Sequence, residues 1–308
     1  MRLFSYDDPD EGPSLGLIDA ADRIVPLPAY SLSAELIQED GLADLRRRLK
    51  PLEGSVGLDR STLRPLPAVE PGKIVCVGLN YRDHVAEGAG REVPELPLLF
   101  AKFANAVIAD GEPIVRPEGT HALDLEVEGG VVVGRRARRV PVERAMDHVA
   151  GYVVVNDVSA RDWQGNKAAL REGEKGDGQW LRAKGSDTFL PMGPVFVTAD
   201  ELDPAVGIRL RSWRIPGPGR PGADEAQLMQ DGSTADMIFS IPELIAFISR
   251  HITLEPGDVI ATGTPSGVGV FRDPPIFLEP GDRVRCEIDG IGSVENPIID
   301  WTDDPRDD

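Results

Sequence analysis

The chain lacks the features that would tie it to a membrane or to nucleic acid. Nowhere in its 308 residues is there an uninterrupted apolar run of the roughly eighteen residues a bilayer span needs. Its opening Met-Arg-Leu-Phe-Ser-Tyr-Asp-Asp lacks the basic start and apolar middle of a signal peptide, so a cytoplasmic address is the expectation. Positive charge is scarce: 33 Lys and Arg face 52 Asp and Glu, a net charge of -19. Nucleic acid and anionic membranes both need a basic footprint, and neither is expected as a partner. The one local cluster, Arg135, Arg136, Arg138 and Arg139, lies between an apolar run and a helix-like segment at 142–149 and reads as a solvated connection. Cysteine is nearly absent as well. Cys76 and Cys286 match no metal or redox spacing and fit buried thiols of a reducing compartment. Only six of the basic residues are lysines, so a lysine in apolar surroundings stands out.

What is present can fill a sizeable core: 41% of the residues are hydrophobic. Residues 1–68 look like a small N-terminal domain, with a short strand at 1–6 and a helical stretch at 33–49. A proline-rich connector at 61–72 then sets a boundary near residue 68. Beyond it, strand-like runs bounded by Gly and Pro occur at 73–77, 98–102, 123–133, 151–156, 194–198, 208–213, 258–262 and 283–288. The clearest helix is 240–250. The expectation is an α/β, strand-dominated main domain over 69–300 with helices packed outside, and an acidic, disordered tail at 301–308.

Carboxylates carry the chemistry. In an extended strand, residues i and i+2 point the same way, so Leu-Asp-Leu-Glu-Val-Glu would set Asp124, Glu126 and Glu128 on one face. Asp157 ends a second apolar run and could add a further oxygen. Burying such acids together is costly unless a cation lies between them, and open carboxylate sites suit magnesium or manganese. The same alternation also occurs on solvated strand faces. His84 precedes Glu87 by three residues, a spacing that puts a carboxylate beside an imidazole on one helical turn, as a water-activating base requires; a surface histidine with a chance neighbour has the same spacing. His121, His148 and His251 are assigned structural roles. Lys184, among Gly and small residues, is either a partly buried cation able to stabilise an oxyanion or a snorkelling surface lysine. The loop 261–269, Ala-Thr-Gly-Thr-Pro-Ser-Gly-Val-Gly, can offer N–H groups and the Thr264 hydroxyl to a carboxylate, but it is neither a Walker nor a dinucleotide loop.

Taken in order, Gly-Leu-Asn-Tyr-Arg-Asp-His, Leu-Glu-Val-Glu, Asn-Asp-Val-Ser-Ala-Arg-Asp-Trp-Gln, Lys-Gly-Ser-Asp-Thr-Phe-Leu-Pro-Met-Gly-Pro and Gly-Thr-Pro-Ser-Gly-Val-Gly resemble the fumarylacetoacetate hydrolase family over about residues 70–299. The resemblance implies a mixed β-sandwich roll, a homodimer, and Mg2+ or Mn2+ held by Glu126, Glu128 and Asp157. It further implies His84 with Glu87 as the water-activating pair and Arg161, Gln164, Lys184 and Thr264 as contacts for a small 2-oxo acid; with His84 and Glu87, Lys184 is taken as catalytic, the cation expected to stabilise the developing oxyanion. The implied reaction is hydrolysis of a C–C bond in an acylpyruvate-type 1,3-dicarbonyl, with pyruvate enolate as leaving group. Decarboxylation of oxaloacetate and keto-enol isomerisation of the 2-hydroxyhepta-2,4-diene-1,7-dioate type are the alternatives on the same site, and a non-catalytic cation-binding module is a remote one. Three departures stand out. Gly129-Gly130 replaces larger apolar residues after Glu128, the stretch between Gln164 and Lys184 is long and in relatives can act as a lid, and no C-terminal glutamate partners the histidine. The last points away from fumarylacetoacetate itself.

Overall fold

Apolar residues on both sides of a strand require cover on both faces, and the central strands here have it. The structure, a computed structural model, describes residues 1–27, 34–49, 57–88 and 92–306. A ten-stranded sheet runs in the order Ile24–Leu27, Gly12–Ile18, Arg2–Asp8, Val195–Thr198, Val149–Asn156, Val127–Val133, Val259–Ala261, Ile74–Gly78 and Leu98–Lys102, with Arg64–Pro65 paired to Arg2–Asp8. Its pairs are antiparallel except Val259–Ala261 beside Ile74–Gly78. A five-stranded sheet of Gln227–Ser233, Arg209–Ile215, Arg283–Ile288, Gly292–Asp300 and Ile114–Arg116 packs against the central strands.

Alternation along Val149–Asn156 divides the core. Tyr152 and Val154 join Leu210, Val284, Cys286 and Val294 between the sheets. Val153 and Val155 turn the other way, to Leu3, Phe196 and Leu36, Ile37, Leu42 and Leu45 of the helices Ala34–Ile37 and Glu39–Leu49. This double burial explains the unbroken Val-rich run. The architecture is the strand-dominated α/β sandwich expected. Ile241–His251 is one of its few full helices, started by Glu243, whose carboxylate accepts from the N–H and O–H of Ser240 at 2.7 and 2.6 Å.

Two local expectations change. The run 123–133 is not continuous: Leu123–Asp124 and Val127–Val133 are separate strands, each with its own partner. The acidic end also keeps structure as far as Arg306: Trp301–Asp303 forms a 3₁₀ turn capped by Asp300, and Arg306 pairs with Asp304. The residues before the proline-rich connector add three strands to one flank of the large sheet, and the connector remains our proposed boundary for that addition. Position 33, expected helical, and positions 307–308 lie outside the described residues.

Candidate active site

Glu126 and Glu128 flank the start of Val127–Val133, and Asp157 follows the end of its neighbour Val149–Asn156. The Asp157 N–H donates to the Glu126 carbonyl at 2.9 Å, and Asn156 Oδ1 accepts the Glu126 N–H at 3.0 Å. Register thus brings the three acids together: one oxygen from each lies within 4.8 Å of the others, and all three side chains are buried. Asp124 does not join them. The break in the strand turns it away, and its carboxylate accepts the N–H groups of Gly269 at 2.8 Å and Val270 at 3.0 Å.

Three buried cations answer these acids. Lys184 Nζ donates to Glu126 Oε2 at 2.8 Å and to Asp157 Oδ2 at 2.7 Å. Arg161 places Nε 2.9 Å from Asp124 and Nη2 2.6 Å from Glu126. Lys102 Nζ lies 2.8 Å from Asp157 Oδ1 and donates to the carbonyls of Val158, Phe189 and Lys184. Lys102 was not recognised in the sequence, although a lone lysine closing an apolar strand was the available signal. Burial alone would raise Glu126, but Lys184 and Arg161 outweigh it and hold the carboxyl well below its ordinary range. Glu128 goes the other way, raised by burial and then by the charges of Asp157 and Glu126.

This donor set fits a divalent metal. Among the described residues, Asp157 Oδ1 is buried without an aligned hydrogen-bond donor, and Glu128 receives a single hydrogen bond, from Gly263 N–H at 2.8 Å. Counting Asp124, four carboxylates meet three cations, and the raised pKa of Glu128 means that its proton occupies the place among these oxygens that a cation would take. His84, on the short helix Arg82–Glu87, binds Glu87 through Nδ1 at 2.7 Å, and Glu87 in turn accepts the Gly267 N–H at 2.8 Å. The glycine-rich loop does offer N–H groups to carboxylates, and these are the protein's own: Glu128, Asp83, Glu87 and Asp124 accept from Gly263, Ser266, Gly267 and Gly269, and Asp124 also from Val270 just beyond the loop.

A cavity of about 380 Å³ collects the site: His84, Glu126, Glu128, Arg161, Gln164, Lys184 and Thr264 line it, with Phe100, Trp180 and Phe271. Glu87 and Asp157 stand behind that lining and reach it through His84 and Lys184. Gln164 Oε1 accepts from Arg161 at 3.2 Å, which leaves its amide nitrogen for a ligand. Gly165 ends the Arg161–Gln164 helix at φ +86°, a left-handed turn suited to glycine, and begins the long stretch before Trp180.

Residues 73–299 match the family described as fumarylacetoacetate (FAA) hydrolase, C-terminal. Relatives include the mitochondrial oxaloacetate tautomerase fahd2 of Xenopus laevis, 40% identical across 97% of this chain and 90% of the relative. A human mitochondrial oxaloacetate tautomerase is 38% identical across 97% and 92%. Among solved structures, a 5-carboxymethyl-2-hydroxymuconate delta-isomerase from Mycobacterium smegmatis superposes with TM-score 0.73 at 33% identity, covering 97% of this chain and 99% of that one. A 2-hydroxyhepta-2,4-diene-1,7-dioate isomerase from Mycobacterium marinum gives 0.70 at 30%, covering 98% and 99%. With its ordered motifs converging on one cavity, the chain is an enzyme of the fumarylacetoacetate hydrolase family.

Proposed function

We propose that the protein is a divalent-metal-dependent enzyme that moves a proton between the enol and keto forms of a small 2-oxo acid. What carries this reading is that the His84–Glu87 pair and the acids Glu126 and Glu128 meet in one cavity. Relatives 40% identical are named oxaloacetate tautomerases and others 41 and 42% identical are named putative hydrolases; the tautomerase names give a defined substrate and reaction, so tautomerisation is the first reading and hydrolysis the second.

Glu126, Glu128 and Asp157 would hold Mg2+ or Mn2+, which supplies a Lewis acid for the 2-oxo and carboxylate oxygens of the substrate and for the charge that develops as a proton leaves the neighbouring carbon. Glu87 holds His84 Nδ1, so Nε2 is the nitrogen left to exchange that proton. The Gly267 N–H fixes Glu87, and the pair keeps its orientation. Arg161 and Lys184 keep Glu126 ionised, and the Gln164 amide nitrogen is available to a substrate oxygen. Phe100, Trp180 and Phe271 limit water at the reacting carbon.

A second reading rests on the same imidazole. With a 1,3-dicarbonyl substrate, His84 would take a proton from water, the hydroxide would add to the acyl carbonyl, and the C–C bond would break to give an acid and the enol of pyruvate. Enol absorbance of oxaloacetate, followed with Mg2+- or Mn2+-loaded protein, tests the first reading. Its decay should accelerate, and His84→Ala should slow it by about 10²-fold or more. Acceleration that survives both chelator and Asp157→Ala would refute the metal site. Parallel assays with acylpyruvates and for carbon dioxide release decide between tautomerisation, hydrolysis and decarboxylation; no turnover in any would favour the cation-binding module.

A further inference from the structure

Gln230, in the strand Gln227–Ser233, is fully buried and does not line the cavity, yet three groups of the site region and one of the neighbouring strand Arg209–Ile215 bind its side chain. Oε1 accepts the Val127 N–H at 3.0 Å and the Ser212 hydroxyl at 2.9 Å. Nε2 donates to the Pro265 carbonyl at 2.8 Å and to Thr264 Oγ1 at 2.7 Å. The amide has one possible orientation, because a backbone N–H only donates and a carbonyl only accepts. Its second hydrogen therefore points to Thr264, whose own proton goes to the Val127 carbonyl, 2.9 Å away. A hydroxyl has one proton and two lone pairs. Thr264, which lines the cavity, keeps one lone pair and no proton for a ligand.

We propose that Gln230 is a positioning residue that fixes Thr264 as a hydrogen-bond acceptor, so that the site favours a ligand whose oxygen at that point carries a proton. Resting on the reading of the cavity as a 2-oxo acid site, this means an enol or 2-hydroxy acid is received in preference to the oxo form. An oxo or carboxylate oxygen placed against Thr264 would set lone pair against lone pair unless the hydroxyl rotated away from the Val127 carbonyl, a buried acceptor. An O–H is received without rearrangement. Gln230 also ties Val127, between Glu126 and Glu128, to Thr264 and Pro265, so one side chain from the second sheet sets both the polarity and the spacing of the loop.

Titration calorimetry of the Mg2+-loaded protein with lactate and with pyruvate tests this. Thr264→Val should weaken lactate about fivefold, the worth of one neutral hydrogen bond, and change pyruvate less than twofold; Thr264→Ser should keep the wild-type affinities. Gln230→Met should lower the lactate preference in the same direction, a ratio that general loosening of the fold would not move. Equal weakening of both ligands in Thr264→Val, or no change in either, overturns the acceptor role. A folded Gln230→Met with the wild-type ratio removes Gln230 from it, and if that variant does not fold, the threonine pair still decides polarity. Binding of Mg2+ but of neither acid by the wild type would instead sink the 2-oxo acid reading, and this inference with it.

Discussion

Lys102 is buried against Asp157 and donates to three backbone carbonyls, and burial depresses its pKa while Asp157 opposes the shift. Removing one partner of a buried pair leaves the other charge uncompensated, so Lys102→Met should destabilise the metal-free protein by about 3–5 kcal/mol. Urea unfolding in chelator measures it, and a loss under about 1 kcal/mol would mean the pairing contributes little. Glu128 gives a pH signature. Its folded pKa is raised by burial and by Asp157 and Glu126, so between an ordinary glutamate value of about 4.3 and the raised one the folded state binds more protons than the unfolded state. Its contribution therefore favours the fold at low pH and is lost as pH rises through the raised pKa. In chelator, thermal midpoints of the wild type should fall across that window relative to Glu128→Gln; parallel curves would show that Glu128 is not shifted. Metal binding must expel that proton, so affinity should climb with pH over the same window.

At the scale of elements, close packing explains Gly130 of the Gly129-Gly130 pair, while nothing in the contacts requires glycine at 129. A Cβ on Gly130 would come 2.6 Å from Val153 Cγ2 in the paired strand, while the Gly129 carbonyl accepts from the Thr262 N–H and hydroxyl at 3.1 and 2.9 Å. Gly130→Val should cost about 1–3 kcal/mol by overpacking, read as a lowered urea midpoint, whereas Gly129→Ala, whose Cβ would meet only Thr262 Oγ1 at 3.4 Å, should cost less. Equal costs would argue against packing as the reason. Elements with local punctuation were legible in the sequence. Leu98–Lys102 follows Pro97, Arg283–Ile288 ends at a turn holding Gly290, and both match residue for residue. Gly12–Ile18, Gln227–Ser233 and Gly292–Asp300 were missed, because glycine, proline and polar residues interrupt their alternation. The triad and the His84–Glu87 pair were readable from spacing and motif. Lys102, Gln230 and the new partners of Asp124 were not, since they act across 55, 103 and 145 positions, separations that only strand order and register close.

The whole molecule leaves one edge of the large sheet with apolar side chains outside. Leu98–Lys102 is the last strand, and around it Leu96, Leu98, Phe103 and Leu181 are 66, 39, 52 and 56% exposed, Leu181 coming from the helix Trp180–Gly185 that packs beside the strand. We propose that a second copy covers this edge. A two-fold contact sets the same patch on both partners, so apolar surface meets apolar surface without charge complementarity. Between chains of net charge -19, a contact led by charge would instead be repulsive. Sedimentation velocity at tens of micromolar should give twice the chain mass of 33.3 kDa, and Phe103→Asp with Leu181→Asp should return it to the monomer with the circular dichroism spectrum kept. A wild type that sediments as a monomer refutes the pairing. Phe100 and Trp180, on this same strand and helix, meet edge to face at 5.6 Å in the cavity wall. The monomeric variant should therefore lose substrate affinity more than Mg2+ affinity, because the acids lie on the inner strands and keep their geometry.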